Sequence, residues 1–322
     1  MKKVLASILA AGALVGCSSV PKETVTLNAA GATFPAPLYQ SWFQSLSQNG
    51  GPQVNYQAVG SGAGVRQFNA GTTDFGASDK AVKDGNKRPV VQIPMTGGAI
   101  VPAYNNPGCD LRVSQKQLAD IFLGNITTWE EVGCDGGTIT VVHRSDGSGT
   151  TAGFTASLSA FSREWKKEVG KGKSVQWPVG VGAKGNSGVA GVITNQEGSI
   201  GYLNYGYVAN GEIQQAWVEN KDGNYVQANA ETSASGLGQI VLDDKLRGSD
   251  PNPSGWRSYP IVSLTWVLAH PEYEKNDTVK EVFTYMLSDE AQGQSDSLGY
   301  VPLPDSIREQ ALEVVGTLTT GS

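Results

Sequence analysis

Five short segments constrain the fold of this chain more than any other feature. "TVTLNAAG", "PLYQSWFQSLSQ", "QVNYQAVG", "GVRQFNAG" and "TDFGASD" follow one another between residues 24 and 79. Short β-branched or apolar runs alternate with amphipathic ones. That reads as βαβαβ and predicts an α/β fold, a mostly parallel sheet with helices on its faces. Further along, "SQKQLADIFLG" offers Ser114 as an N-cap, Gln117 as its capping-box partner and Gly124 as the stop. "TVKEVFTYMLSDEAQGQ" reads as one helix with Val279, Val282, Phe283 and Met286 on one face. "SIGYLNYGYV" fits a strand or its exit. Two long extended runs, 91–105 and 259–270, read as crossings between two domains, the chain leaving at the first and returning at the second. The 322 residues are enough for two domains of ordinary size.

The start of the chain bears on its compartment. "MKKVLASILAAGALVGCSS" has Lys2 and Lys3, then an apolar run too short for an ordinary transmembrane helix, then small residues. Residues 1–16 read as a signal peptide. The Leu-Val-Gly-Cys ending resembles a bacterial lipobox, which implies cleavage before Cys17 and lipid on that residue. Residues 17–26 then form a lipidated tether to a membrane. The alternative is an ordinary secretory signal with a chance cysteine. Cys109 and Cys134 remain, and an exported protein with two spare cysteines is expected to join them; two free thiols are the alternative. Neither histidine sits at ligand spacing from a cysteine, so the sequence offers no metal site.

Charge narrows the partners. The chain carries −6, and loss of residues 1–16 leaves 22 basic against 30 acidic residues, or −8. No basic run exists, which argues against nucleic acid. An acidic chain does not attract an anion by its overall field, so an anionic ligand would have to be held by local dipoles.

Four turns could do that. In "GATFPAPLYQSWF", Thr33 and Phe34 precede a helical pattern; Thr33 reads as a simple N-cap, or with the free N–H groups as an anion cradle. In "AVGSGAGVRQF", Gly60, Gly62 and Gly64 allow close backbone approach and Ser61 offers a hydroxyl. Val65 stands where a dinucleotide fingerprint needs its third glycine, and no P-loop lysine follows. "TTDFGASDKAV" ends a strand at Asp79, near the start of another helical segment, where a carboxylate reads as a cap.

"HRSDGSGTTAGF", after the strand-like "TITVV", is the richest of the four. Arg144 can give a bidentate pair of hydrogen bonds to a tetrahedral oxyanion. Ser148 and Thr150 can donate hydroxyls, and the backbone from Gly147 through Gly149 to Thr151 can form a nest at a helix start. A calcium loop fails, because Thr151 and Ser157 stand where glycine and glutamate belong. A surface Arg144–Asp146 pair is the plain alternative. Asp146 beside a bound anion is tolerable if the anion brings a proton for it to accept. Phosphate carries one at neutral pH and sulfate does not, so the carboxylate would reject the unprotonated rival.

Together "GATFPAPLYQSWF", "VNYQAVGSGAGV", "DFGASD", "HRSDGSGTT", "WPVGVGAKGNSGV", "GSIGYLNYGYV" and "YVPLPDSI" resemble the substrate-binding protein of the bacterial high-affinity phosphate ABC transporter, in order and over most of the chain. The resemblance implies a two-domain periplasmic-binding-protein fold of type II, with two crossover strands and dehydrated phosphate in the cleft between domains. Domain I would comprise 27–98 and 261–322, and domain II 99–260. It implies contacts from Thr33, Phe34, Ser61, Asp79, Arg144, Asp146, Ser148, Gly149 and Thr150. Asp79 and Asp146 would accept ligand protons, and His143 would stand behind the site. It also implies a monomer that hands phosphate to a membrane permease, with no cofactor. A binder of sulfate or molybdate, or a surface lipoprotein without a transport role, remain alternatives. An enzyme is disfavoured, since no Gly-x-Ser-x-Gly elbow, activating histidine or metal cluster is present.

Overall fold

The computed structural model describes residues 25–321; the signal peptide, Cys17 and nearly all of the tether lie outside them. In chain order the elements are β1 (Thr26–Gly31), α1 (Ala36–Gln48), β2 (Gln53–Ala58), α2 (Ser61–Ala70), β3 (Phe75–Ser78) and β4 (Val91–Asn105). Next come β5 (Arg112–Val113), α3 (Gln115–Leu123), β6 (Thr140–Arg144), α4 (Gly149–Phe161), α5 (Arg163–Glu168), β7 (Val181–Ala183), α6 (Gly185–Asn195) and β8 (Ser199–Asn204). The remainder is β9 (Gln214–Gln215), β10 (Trp217–Glu219), β11 (Tyr225–Val226), α7 (Ala230–Leu237), β12 (Val262–Ala269), α8 (Asn276–Met286), α9 (Asp289–Gln292) and α10 (Asp305–Gly316).

The expected βαβαβ opening is β1 to β3, with β1 parallel to both β2 and β3. The main sheet runs β2-β1-β3-β12-β4-β8-β6-β7. Its two ends are parallel and its middle is antiparallel. β4 does double duty. Val91–Ala99 pairs with β12, whereas Ile100–Asn105 pairs with β8. The partner therefore changes between Ala99 and Ile100, where β4 passes from one lobe to the other; β12 pairs only with its first-lobe half. The segment after α7 leans on the first lobe: the Trp266 indole N–H donates to the Leu246 carbonyl at 2.8 Å, and Lys245 and Arg247 both reach Asp84. One contiguous apolar core runs through the sheet, with Trp42, Phe75, Phe122, Phe154 and Tyr202 fully enclosed.

Local chemistry explains the boundaries. Ser114 accepts from Gln117 N–H, the Gln117 side chain returns to the cap, and Gly124 ends α3 in the left-handed region at φ 81°. Val279, Val282, Phe283 and Met286 are all buried on α8. The run from 278 to 294 is not one helix, however. It breaks at Leu287, because the Ser288 hydroxyl accepts from Ala291 N–H and starts α9 afresh. The helical segment expected after Asp79 is absent too; residues 79–90 are irregular. Cys109 and Cys134 are joined, with Cα atoms 5.4 Å apart.

Candidate functional site

The four turns meet at one place. Each follows the carboxyl end of a parallel strand: Thr33 after β1, Ser61 after β2, Asp79 after β3, and the Arg144–Thr150 turn after β6. A fifth, Gly185–Asn186, follows β7. Open α/β sheets expose backbone N–H groups and helix N-termini at that edge, which is where such folds hold ligands.

Backbone hydrogen bonds stitch the two lobes together here. Gly62 N–H donates to the Gly147 carbonyl at 2.7 Å. Gly149 N–H donates to the Ser61 hydroxyl at 3.1 Å. Gly60 holds φ +91°, and a Cβ on it would overlap the Asp146 carboxylate, so glycine is required on both counts.

Arg144 and Asp146 are not a surface pair. Their side chains are 1% and 13% exposed. Arg144 Nε and Nη2 donate to the two Asp146 oxygens at 2.7 and 2.6 Å. Gly185 N–H adds a third bond to Asp146 Oδ1 at 3.0 Å. Oδ1 is thereby filled and Oδ2 keeps one lone pair. Although burial opposes it, the arginine and these N–H groups hold the Asp146 carboxyl below the usual carboxylate range. The third guanidinium nitrogen, Arg144 Nη1, is buried and meets no partner among the described residues.

Asp79 is the opposite case. Burial pushes its carboxyl up to about 6, against the lowering pull of Thr265, Arg144 and Ser61. Thr265 Oγ1 donates to Asp79 Oδ1 at 2.9 Å, and the Ser61 hydroxyl donates to Oδ2 at 3.3 Å. Asp79 is not a helix cap.

The hydroxyls are polarised by their neighbours. Thr33 Oγ1 receives Asn186 N–H at 3.1 Å and Asn186 Nδ2–H at 2.8 Å. Both lone pairs are then occupied, so Thr33 must act as a donor. It caps no helix: α1 begins at Ala36 without a side-chain cap. Ser61 is in the same position, with N–H groups from Asp79 and Gly149 on its oxygen. Asn186 Nδ2 also reaches Thr150 Oγ1 at 3.2 Å. The Ser148 hydroxyl accepts from Thr151 N–H and caps α4. The Phe34 carbonyl accepts from Tyr300 and the Thr33 carbonyl from Tyr207, which fix that turn.

An aromatic column packs against the Arg144 backbone. His143 stacks on Trp177 with ring centres 5.0 Å apart, Trp177 on Tyr202, and Tyr202 on Phe154. The Tyr202 hydroxyl meets both Arg144 N–H and Thr151 Oγ1. Burial holds the His143 imidazole below its ordinary value, and its Nδ1 lies 3.2 Å from the Arg144 carbonyl.

Thr33, Ser61, Asp79, Arg144, Asp146, Ser148, Gly149 and Thr150 thus share one buried locus, with Phe34 beside it. Taken one by one, the turns do not single out Gly185, Asn186 or Thr265. The first two lie within "WPVGVGAKGNSGV", a stretch whose only signal is its resemblance. Thr265 is a mid-strand residue of β12 with no local signal.

Fold and site define a two-lobed solute-binding protein, and the model described as "PBP superfamily domain" matches residues 18–290. Within that class the chain belongs to the PstS family of phosphate-binding proteins. It is 39% identical over 312 residues to the phosphate-binding protein PstS of Pasteurella multocida, covering 88% of each chain. The Haemophilus influenzae PstS is 36% identical, with 88% of this chain and 90% of that one covered. A putative phosphate ABC transporter substrate-binding protein with bound phosphate from Clostridium perfringens superposes with a TM-score of 0.66 at 19% identity, over 87% of this chain and 100% of that one. A phosphate-binding protein from Stenotrophomonas maltophilia gives 0.69 at 19% identity, over 91% and 94%. At that identity the structural likeness speaks for the fold.

Proposed function

We propose that the chain binds inorganic phosphate between its lobes and delivers it to the permease of an ABC importer. It is a binding protein, not an enzyme. The observation that carries this reading is Arg144 Nη1, a cationic donor sealed from water beside the start of α4 and without a partner among the described residues. A buried guanidinium N–H left unpaired is costly, so the site favours an anionic acceptor there.

The other groups divide the work. Thr33 is a donor by elimination of its lone pairs, and Ser61 can serve the ligand only by turning its proton from Asp79 Oδ2. Ser148 and Ser61 take the Thr151 and Gly149 N–H groups, which leaves Thr150 N–H of the first turn for the ligand. Phe34 contributes backbone. We assign the ligand's proton to Asp79, whose burial makes it a strong acceptor; Asp146 has one lone pair for the same duty and otherwise aims Arg144. Domain I is taken as 27–98 with 261–322, and domain II as 99–260. The protein is exported, anchored through lipidated Cys17, and works as a monomer.

Calorimetric titration of the phosphate-stripped protein with phosphate, arsenate, sulfate and molybdate tests this. At pH 8 phosphate and arsenate bind, and sulfate is weaker by at least ~100-fold, about 2.7 kcal/mol. Sulfate binding as tightly as phosphate would remove the proton-acceptor argument.

A further inference from the structure

The whole chain is acidic, at −6, and on that ground alone it repels anions. Several cations nevertheless stand around the cleft. Lys80 follows Asp79 directly in sequence. Lys171 and Lys173 flank Gly172, which is bonded to Thr155 of α4, and the Lys173 carbonyl accepts from Ser148 N–H at 2.8 Å. Lys80, Lys171 and Asp79 line one cavity of about 330 Å³ between the lobes, with Arg247 on its wall. Arg66 projects from α2, one turn beyond the glycines that touch Gly147.

These cations are close enough to feel one another. The Lys80 ammonium is lowered by burial and then by the charges of Lys83 and Lys171. Lys173 is lowered by burial and by Lys80 and Arg66, against the raising pull of Asp79. Among the described residues, none of Arg66, Lys80, Lys171 and Lys173 forms an ion pair within 4.0 Å. The nearby acids are otherwise engaged or few: Asp84 is held by Lys245 and Arg247, Asp79 is buried, and Asp250 shares the cavity.

We propose that Arg66 and Lys80 on one lobe, with Lys171 and Lys173 on the other, form an anion-collecting rim that draws small oxyanions from solution and steers them into the buried site. Like charges held together cost free energy unless a counter-charge visits them. At physiological salt, fields fade over about 8 Å, so a passing anion senses the rim and not the distant acidic surface. The proposal rests on the phosphate-binding reading.

The test is the salt dependence of association, followed by intrinsic tryptophan fluorescence in stopped flow with phosphate-stripped protein and inorganic phosphate. If the rim governs, the wild-type association rate falls as sodium chloride rises. If net charge governs, it rises. The R66E/K171E variant alters two exposed side chains outside the binding machinery. Its association rate at low salt drops by ~3- to 10-fold, its dissociation rate is unchanged, and the difference vanishes at high salt. The neutral R66Q/K171Q variant falls between. A wild-type rate that climbs with salt, or a variant rate equal to wild type, overturns the proposal while leaving phosphate binding intact. No phosphate signal from the wild-type protein overturns the functional reading, and the rim with it.

Discussion

Replacing Asp79 with asparagine makes the ligand-free protein more stable and a poorer judge of its ligand. The carboxyl is buried and titrates at about 6 instead of 3.8. A carboxyl raised that far disfavours its ionised form by ~3 kcal/mol. The folded pKa lies above the unfolded one, so the native state holds its proton more firmly. The contribution to stability is full below pH ~4 and is lost as pH rises through about 6. Asparagine keeps an acceptor for Thr265 and never ionises. The gain of Asp79→Asn over wild type is therefore near zero at pH 4 and reaches up to ~3 kcal/mol above pH ~6.5, or roughly 5 °C in Tm. Calorimetric scans of phosphate-free protein from pH 4 to 8 measure it. The same variant loses its acceptor for the ligand's proton, so its phosphate-to-sulfate ratio at pH 8 shrinks by at least ~10-fold. An Asp79→Asn protein that is less stable at pH 7, or a gain that does not vary with pH, would refute the burial argument.

Two further outcomes follow from the donor geometry and the seam. Asn186→Leu weakens phosphate binding by ~10- to 100-fold, equivalent to ~1.4–2.7 kcal/mol, but costs little more in a Thr33→Val background, because it acts through that hydroxyl; additive losses in calorimetry would show a merely structural role. Gly60→Ala forces a left-handed φ of +91° on a residue whose Cβ overlaps Asp146, so affinity falls by at least ~10-fold while far-UV circular dichroism is preserved; unchanged affinity would mean that the lobes close without that contact.

Much of this molecule was legible in its sequence. The opening βαβαβ was readable because strand and helix periods alternate within sixty residues, and α3 because its cap, box and stop are all local. The break at Ser288 was hidden because the apolar spacing of α8 invites continuation, and a serine hydroxyl competes only once the chain turns. The site turns carried their own signals in Gly60–Gly64 and Arg144–Thr150. What those signals could not give was division of labour. Asp79 and Asp146 look alike in sequence, yet one is pushed up by burial and the other held down by an arginine. Asn186 sets the direction of the Thr33 hydroxyl from 153 residues away, a relation no local pattern encodes.

The unbroken strand β4 limits how the lobes can travel, because it is held by β12 up to Ala99 and by β8 from Ile100 onward. Eight residue pairs, with a single slip between Thr265 and Trp266, fix the first half of that strand in one lobe, and six fix the second half in the other, so neither lobe can slide along it. Relative motion of the lobes is then confined to bending and twisting where β4 crosses between them, and two pairs of dyes placed across the lobes would tell the two modes apart.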